Sequence, residues 1–144
     1  MGKLMLQRLL LLLTPAAPTL RAPLAIALGA IAGALSRYYL SLWLTQRLGN
    51  GFPYGTFVVN LSGSFALGFL TLVLAKMRPV PMDLVWLVAI GGLGSYTTFA
   101  TYELDSYRLC LDRRWLVLSA YWLGSPLLGL LGLYAGTLTA RLFR

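Results

Sequence analysis

Four long apolar segments, separated by short polar connections, run along the chain. Each segment has about the 20 residues that an α-helix needs to cross a hydrocarbon layer of about 30 Å. The connections contain proline, glycine or clustered charges, which are typical of turns between helices. The pattern therefore predicts an all-α membrane protein with four transmembrane helices, at about residues 23–44, 54–75, 82–104 and 115–138.

Residues 1–22 stand apart as an N-terminal extension that precedes the transmembrane domain, residues 23–144. Lys3 and Arg8 flank a short leucine run that ends at Pro15. This arrangement superficially resembles a signal peptide, but the run is short and a far better span opens just downstream. We interpret the segment as an interfacial or disordered extension, and a cleaved signal is the alternative.

Residues 91–102 (GGLGSYTTFATY) interrupt the third apolar segment with glycines, hydroxyls and rings. Each glycine costs about 1 kcal/mol relative to Ala in a helix interior, and β-branched Thr97 and Thr98 follow. We therefore expect the helix to break or unwind here. Because broken backbone in lipid needs surrounding protein or water, a break would form an ion or substrate site. The alternative is that the glycines only allow close helix packing.

Polar and small residues recur every fourth position in two spans, which places them on one helix face. Among these residues, Asn60 costs the most free energy to place in lipid, because its amide needs a hydrogen-bond partner. Two readings remain open for Asn60, an interhelical hydrogen bond or a donor that faces a solute. The stripes consist of Thr56, Asn60, Ser64 and Gly68 in the second span and Tyr121, Ser125 and Gly129 in the fourth.

Arg37 lies just inside the apolar part of the first span, near its end and beside two tyrosines. One interpretation is an interfacial arginine whose charged head reaches back to water. The other is a pore-mouth charge that attracts anions.

Composition narrows the function to membrane classes, since 58% of the residues are hydrophobic and only 11% are charged. The chain has no histidine and a single cysteine, Cys110, which excludes His or Cys metal sites and an intrachain disulfide. The net charge of +8 is interpreted as membrane-flanking contact with anionic lipid, and not as nucleic-acid binding. We predict neither an enzyme nor a protein substrate.

Basic residues are balanced between the two sides of the membrane, four against four, outside the extension. The positive-inside bias is therefore weak, and such a chain can insert both ways round. Four short helices are also too few to enclose a pore comfortably. An oligomer, with an antiparallel dimer as one form, follows as a hypothesis. The two sets are Lys76, Arg78, Arg141 and Arg144 on one side and Arg47, Arg108, Arg113 and Arg114 on the other.

Four motifs follow one another along the chain. They are GxxxGxxxRY from Gly29, FPxGTxxxNxxGSF from Phe52, GGxGxxTTFxT from Gly91 and YxxxS from Tyr121. Together they extend over nearly all of the chain beyond the extension, and the second and third motifs in this order are highly specific. The chain resembles the Fluc/CrcB family of fluoride channels.

The resemblance implies an antiparallel, dual-topology homodimer in the cell membrane, with two fluoride pores and passive export of cytoplasmic fluoride that lowers its toxicity. It also implies a third helix broken in mid-membrane, where the backbone carbonyls of Gly94 and Thr97 hold a central structural Na+. Pairing with a paralogue instead of a second copy is left open. The residues that the resemblance assigns to the fluoride path are Asn60, Phe99, Tyr102, Tyr121 and Ser125.

Three positions depart from the family pattern. Tyr102 stands where the family usually has Phe, Ala100 where Ser is common, and Gly129 where some relatives have a second pore serine. Because a tyrosine ring keeps its electropositive edge, we expect conduction to survive, with an altered rate or selectivity.

Three other functions are alternatives to a channel. A small dual-topology drug exporter needs an acid within the membrane, but all four acids stand at or near span ends. A membrane enzyme is disfavoured because the spans contain no cluster of acid, His or Cys. A non-transporting membrane subunit remains, and it is distinguished by whether the purified chain conducts alone.

Overall fold

The computed structural model of the protein describes residues 18–77 and 79–142, and every regular element among them is helical. Helix α1 is Pro18–Leu48, and α2 is Tyr54–Lys76. The third span begins with α3, residues 82–96, in which a π-helix, Val85–Leu93, lies between single α-helical turns. The span continues as α4, Phe99–Leu111, and α5 is Trp115–Leu142.

The four predicted spans are confirmed as helices long and apolar enough to cross a membrane. Their ends differ from the prediction. Helix α1 begins at Pro18, so residues 18–22 of the predicted extension are helical, and residues 1–17 lie outside the described part of the chain. Pro23 was expected to open the span, yet it lies inside α1, where it removes only one backbone hydrogen bond near the helix end.

Polar contacts tie the helix ends together at both sides of the bundle. Arg21 at the start of α1 forms an ion pair with Asp83 at the start of α3. Lys76 at the end of α2 donates to the Ala140 carbonyl near the end of α5, at 2.9 Å. At the opposite side, Arg114 donates to the backbone of the α1–α2 connection. The four spans therefore alternate in direction.

Two close seams hold the bundle together, and each depends on glycine. Along α1 and α3, a methyl group at Gly33 would overlap the carbonyl oxygen of Gly92. Along α2 and α5, a methyl group at Gly136 would overlap the Phe65 carbonyl oxygen. Small residues at these positions allow the backbones to approach, which is how helices associate in lipid without a hydrophobic driving force.

Two threonines separate α3 from α4, and we call this short stretch the interruption. Thr97 has ψ 156° and Thr98 has φ −150°, both extended, and α4 starts at the next residue. Thr98 caps α4, since its hydroxyl accepts from the Thr101 N–H at 3.3 Å. By contrast, Gly91 lies in helical backbone and packs against Ile26. In this motif the glycine serves packing, while β-branched residues take the extended conformation.

We predict that Gly136→Ala lowers the free energy of unfolding by about 1–3 kcal/mol, because the methyl group overpacks the seam between α2 and α5. The midpoint of thermal unfolding in detergent measures the effect. The control is Gly124→Ala in the same helix, where no described atom outside the adjacent residues and backbone of that helix lies within 4 Å of the new methyl group. Equal midpoints for the two variants would rule out a tight seam.

Candidate functional site

A groove of about 320 Å³ opens between α2, α4 and α5, and we call it the aromatic groove. Asn60 from α2, Phe99 and Tyr102 from α4, and Ser125 from α5 meet there. These are four of the five residues predicted for the ion path. They belong to three separate helices, and the fold brings them together in one groove. The remaining lining residues are Ser64, Pro126, Gly129, Leu130 and Leu133.

Aromatic rings form a row that begins in this groove. The rings of Phe99 and Tyr102 lie 5.8 Å apart between centroids, and those of Tyr102 and Tyr121 lie 5.2 Å apart. Phe52 continues the row, perpendicular to Tyr121 at 5.4 Å. In the single chain Phe99 is 73% exposed and Tyr102 only 8%. Ring edges carry partial positive charge, so such a row can face an anion.

The hydroxyl of Ser125 is buried and has no hydrogen-bond partner within residues 18–77 and 79–142. An unpaired buried hydroxyl costs about 1–3 kcal/mol, so native proteins seldom keep one without a use. Because Ser125 lines the aromatic groove, its hydroxyl is the candidate hydrogen-bond donor to a solute there.

Both polar atoms of the Asn60 side chain bind the backbone of Thr98. Asn60 Nδ2 donates to the Thr98 carbonyl at 3.0 Å, and Asn60 Oδ1 accepts from the Thr98 N–H at 2.8 Å. The amide has two N–H donors, and one of them is left for the groove. Of the two readings that the sequence left open, the structure contains the interhelical hydrogen bond and still leaves a donor for a solute.

A second groove of about 310 Å³, here called the threonine groove, lies on the other side of Asn60 and Phe99. Gly94 and Thr97 line it. In an unbroken helix their carbonyls would accept from the N–H groups four residues later. Those donors are bound elsewhere, because the Thr98 N–H goes to Asn60 and the Thr101 N–H goes to the Thr98 hydroxyl.

The carbonyls of Gly94 and Thr97 therefore lack the donors that a continuous helix would give them. Hard cations prefer such oxygen ligands. Within the described residues, no group of three His, Cys, Asp or Glu side chains could hold a metal instead.

Tyr121, the fifth predicted path residue, is fully buried and does not line the aromatic groove. Its hydroxyl points toward the carboxylate of Asp105, 3.5 Å away, which also accepts from the Thr56 hydroxyl at 2.6 Å. Asp105 and Thr56 line a cavity of about 450 Å³, the charged cavity. Its charged lining residues are Asp105, Arg108, Asp112 and Arg114.

The remaining predicted site residue, Arg37, is half-buried on α1 and is not among the residues that line these three cavities. The sequence singled out Thr98 only as a β-branched residue that favours a break, whereas in the structure its backbone also binds the Asn60 amide. A threonine directly before a new helix is the usual N-cap signal and could have identified it.

The chain is similar in sequence to a known protein family. Residues 24–137 match the family model described as CrcB-like protein, Camphor Resistance (CrcB). The chain belongs to the CrcB family. The match includes every residue of both grooves, so the resemblance found in the sequence motifs is confirmed.

Curated relatives of the chain in the CrcB family are named Fluoride-specific ion channel FluC. One from Synechococcus sp. (strain JA-2-3B'a(2-13)) is 50% identical over 127 residues, 88% of this chain and 98% of that protein. One from Trichormus variabilis is 48% identical over 126 residues, 87% of this chain and 92% of the relative. This CrcB protein is therefore a multi-pass membrane protein of a channel family and not an enzyme.

We predict that Asn60→Ala speeds hydrogen exchange at the Thr98 amide and destabilises the fold by about 1–3 kcal/mol for each Thr98 group left unpaired. Exchange is measured by mass spectrometry or NMR in detergent, together with thermal unfolding. The matched control is Thr71→Ala, which removes a hydroxyl of α2 that bonds to Leu67 in its own helix. Unchanged exchange at Thr98 would show that Asn60 does not hold the interruption.

Proposed function

We propose that the protein is a fluoride-selective ion channel that lets cytoplasmic fluoride leave the cell passively and so lowers fluoride toxicity. One observation carries the proposal: Asn60 with its amide, Ser125 with its unpaired hydroxyl and two aromatic residues line the aromatic groove, and no carboxylate is among its described lining residues. The names of the relatives support fluoride as the ion.

The groove offers fluoride what a small, strongly hydrated anion needs. The Ser125 hydroxyl and the remaining Asn60 N–H can replace lost water, and the edges of Phe99 and Tyr102 add weak positive charge. Several weak sites allow the ion to leave as well as enter, which conduction requires. Hydrogen fluoride enters a cell as the neutral acid and dissociates there, so the anion would leave down its own electrochemical gradient.

Tyr121 has a less direct role in this proposal. Its hydroxyl is directed at Asp105, and its ring supports Tyr102 from behind. It therefore lies between the aromatic groove and the charged cavity, where an ion that passes from one to the other would meet it.

We also propose that two antiparallel copies enclose a structural Na+ at their shared axis, held by the Gly94 and Thr97 carbonyls of each copy, with the interruption in mid-membrane. Three observations support this assembly. The carbonyls lack their usual helical donors, Gly94 and Thr97 line an open groove, and the basic residues of the loops are balanced between the two sides. Sodium would neutralise the converging oxygens and fix the two interruptions together.

Efflux from liposomes tests the ion and the ring residues. Vesicles that contain the purified protein and potassium fluoride should lose fluoride rapidly after a potassium ionophore is added, whereas vesicles loaded with chloride should retain it. Phe99→Ile, which removes the ring edge, should suppress fluoride loss while the assembly persists on a sizing column.

The matched control is Phe65→Ile, a ring on α2 that lines neither groove. Full fluoride efflux through Phe99→Ile would remove Phe99 from the path. No efflux through the wild-type assembly would favour a non-transporting membrane subunit.

The assembly makes a separate prediction about sodium. Replacing Na+ with N-methylglucamine throughout purification and reconstitution should lower the temperature at which dimers dissociate and reduce fluoride efflux, because the carbonyls of the two copies would repel one another. Light scattering gives the oligomeric state, and protease access to a C-terminal tag gives the orientation. A monomer under all conditions, or a tag on one side in every copy, would exclude the antiparallel dimer.

A further inference from the structure

Pro126 lies inside α5 and changes the hydrogen bonding of the turn before it. A helical carbonyl normally accepts from the N–H four residues later, and for Trp122 that residue is Pro126. Proline has no N–H, and its ring pushes the carbonyl four residues earlier away from the helix axis. The Trp122 carbonyl therefore needs a donor from another element.

The hydroxyl of Tyr102 supplies this donor. It donates to the Trp122 carbonyl at 2.7 Å, a bond that crosses from α4 to α5 beside the aromatic groove. The Tyr102 ring is 8% exposed, so the bond is formed in a largely dry setting. A phenylalanine at position 102 could not form it.

We propose that Tyr102 and Pro126 act as a pair, in which the proline-freed carbonyl holds the second ring of the ion path in one orientation. Tyr102 is thus a positioning residue in this chain through its hydroxyl, in addition to presenting a ring edge. The pairing has a chemical basis on each side. A buried tyrosine hydroxyl needs an acceptor, and a carbonyl released by proline needs a donor. The functional part of the proposal rests on the proposed fluoride path.

The bond also excludes one role for the Tyr102 hydroxyl, that of a direct donor to an ion. Its only proton points at Trp122, so the hydroxyl is not a donor to an ion in the aromatic groove. The ring edge and the neighbouring Ser125 hydroxyl remain for that purpose. A change that frees the Tyr102 ring should therefore alter conduction without removing a direct ligand.

A double-mutant cycle tests the pair, with Tyr102→Phe, Pro126→Ala and the combined variant. Thermal unfolding in detergent is the first readout, and it does not depend on transport. We expect Tyr102→Phe to lower the unfolding midpoint in the wild-type background and to have little effect beside Pro126→Ala, because alanine supplies the missing N–H. Equal effects in both backgrounds would overturn the pair.

Fluoride efflux per reconstituted dimer is the second readout. We expect Tyr102→Phe to slow efflux by about tenfold, which corresponds to the loss of one neutral hydrogen bond of ordinary strength. The combined variant should be as slow as Tyr102→Phe alone, because neither has a hydroxyl that can hold the ring. Tyr107→Phe, which alters an exposed side chain of the same helix outside the groove, is the control.

The two readouts separate failure of the pair from failure of the proposed function. A wild-type protein that shows the unfolding cycle but moves no fluoride would overturn the channel function and leave the pair in place. Unchanged efflux in Tyr102→Phe, with the cycle present, would reduce the hydroxyl to a purely structural role and overturn the positioning claim.

Discussion

The two hydrogen bonds between the Asn60 side chain and the Thr98 backbone are the interaction on which the site depends. A peptide unit that leaves its helix in a dry environment loses a donor and an acceptor, and each unsatisfied group costs several kcal/mol in lipid. Asn60 replaces both partners at once, and by binding the Thr98 N–H it withholds the normal donor of the Gly94 carbonyl. The interruption is thereby stabilised on one face and left with open oxygens on another. Phe99 begins α4 directly after it, so the position of the first ring follows from the same pair.

The glycine seams make this arrangement rigid. With α1 held against α3 and α2 against α5 at backbone contact, the polar stripe of α2 can reach only a narrow set of positions on its neighbours. Within the residues described, the structure satisfies the extended backbone of Thr98 and leaves the Ser125 hydroxyl unpaired. This contrast distinguishes a binding site from a packing defect. The residue with the unpaired hydroxyl lines a groove that is large enough for an ion and its remaining water.

Much of this could be predicted from the sequence, because the relevant signals are local. Apolar length identified the spans, and the four-residue recurrence that includes Asn60 and Ser125 placed both on inward faces, where the structure brings them together. The partner of Asn60 could not be predicted, since it depends on the relative rotation of α2 and the third span. The orientation of Tyr121 toward Asp105 and the π-helix that contains Gly91 and Gly92 are tertiary outcomes of the same kind. The glycine motif was ambiguous because helix packing and backbone interruption use different residues of the same short segment, Gly91 for packing and Thr97 for the interruption.

A single chain leaves the aromatic groove open on one side, and the physics of an anion in lipid explains why that matters. Phe99 is 73% exposed. In the most apolar 18-residue stretch of each span, only 6–22% of the residues are buried. Hydrocarbon against the groove would strip fluoride of its water without offering a donor in return, at a cost of many kcal/mol for an isolated ion. The path therefore needs a further wall of protein. In the proposed dimer, a second copy in the opposite orientation supplies this wall, and the balanced loop charges permit that arrangement.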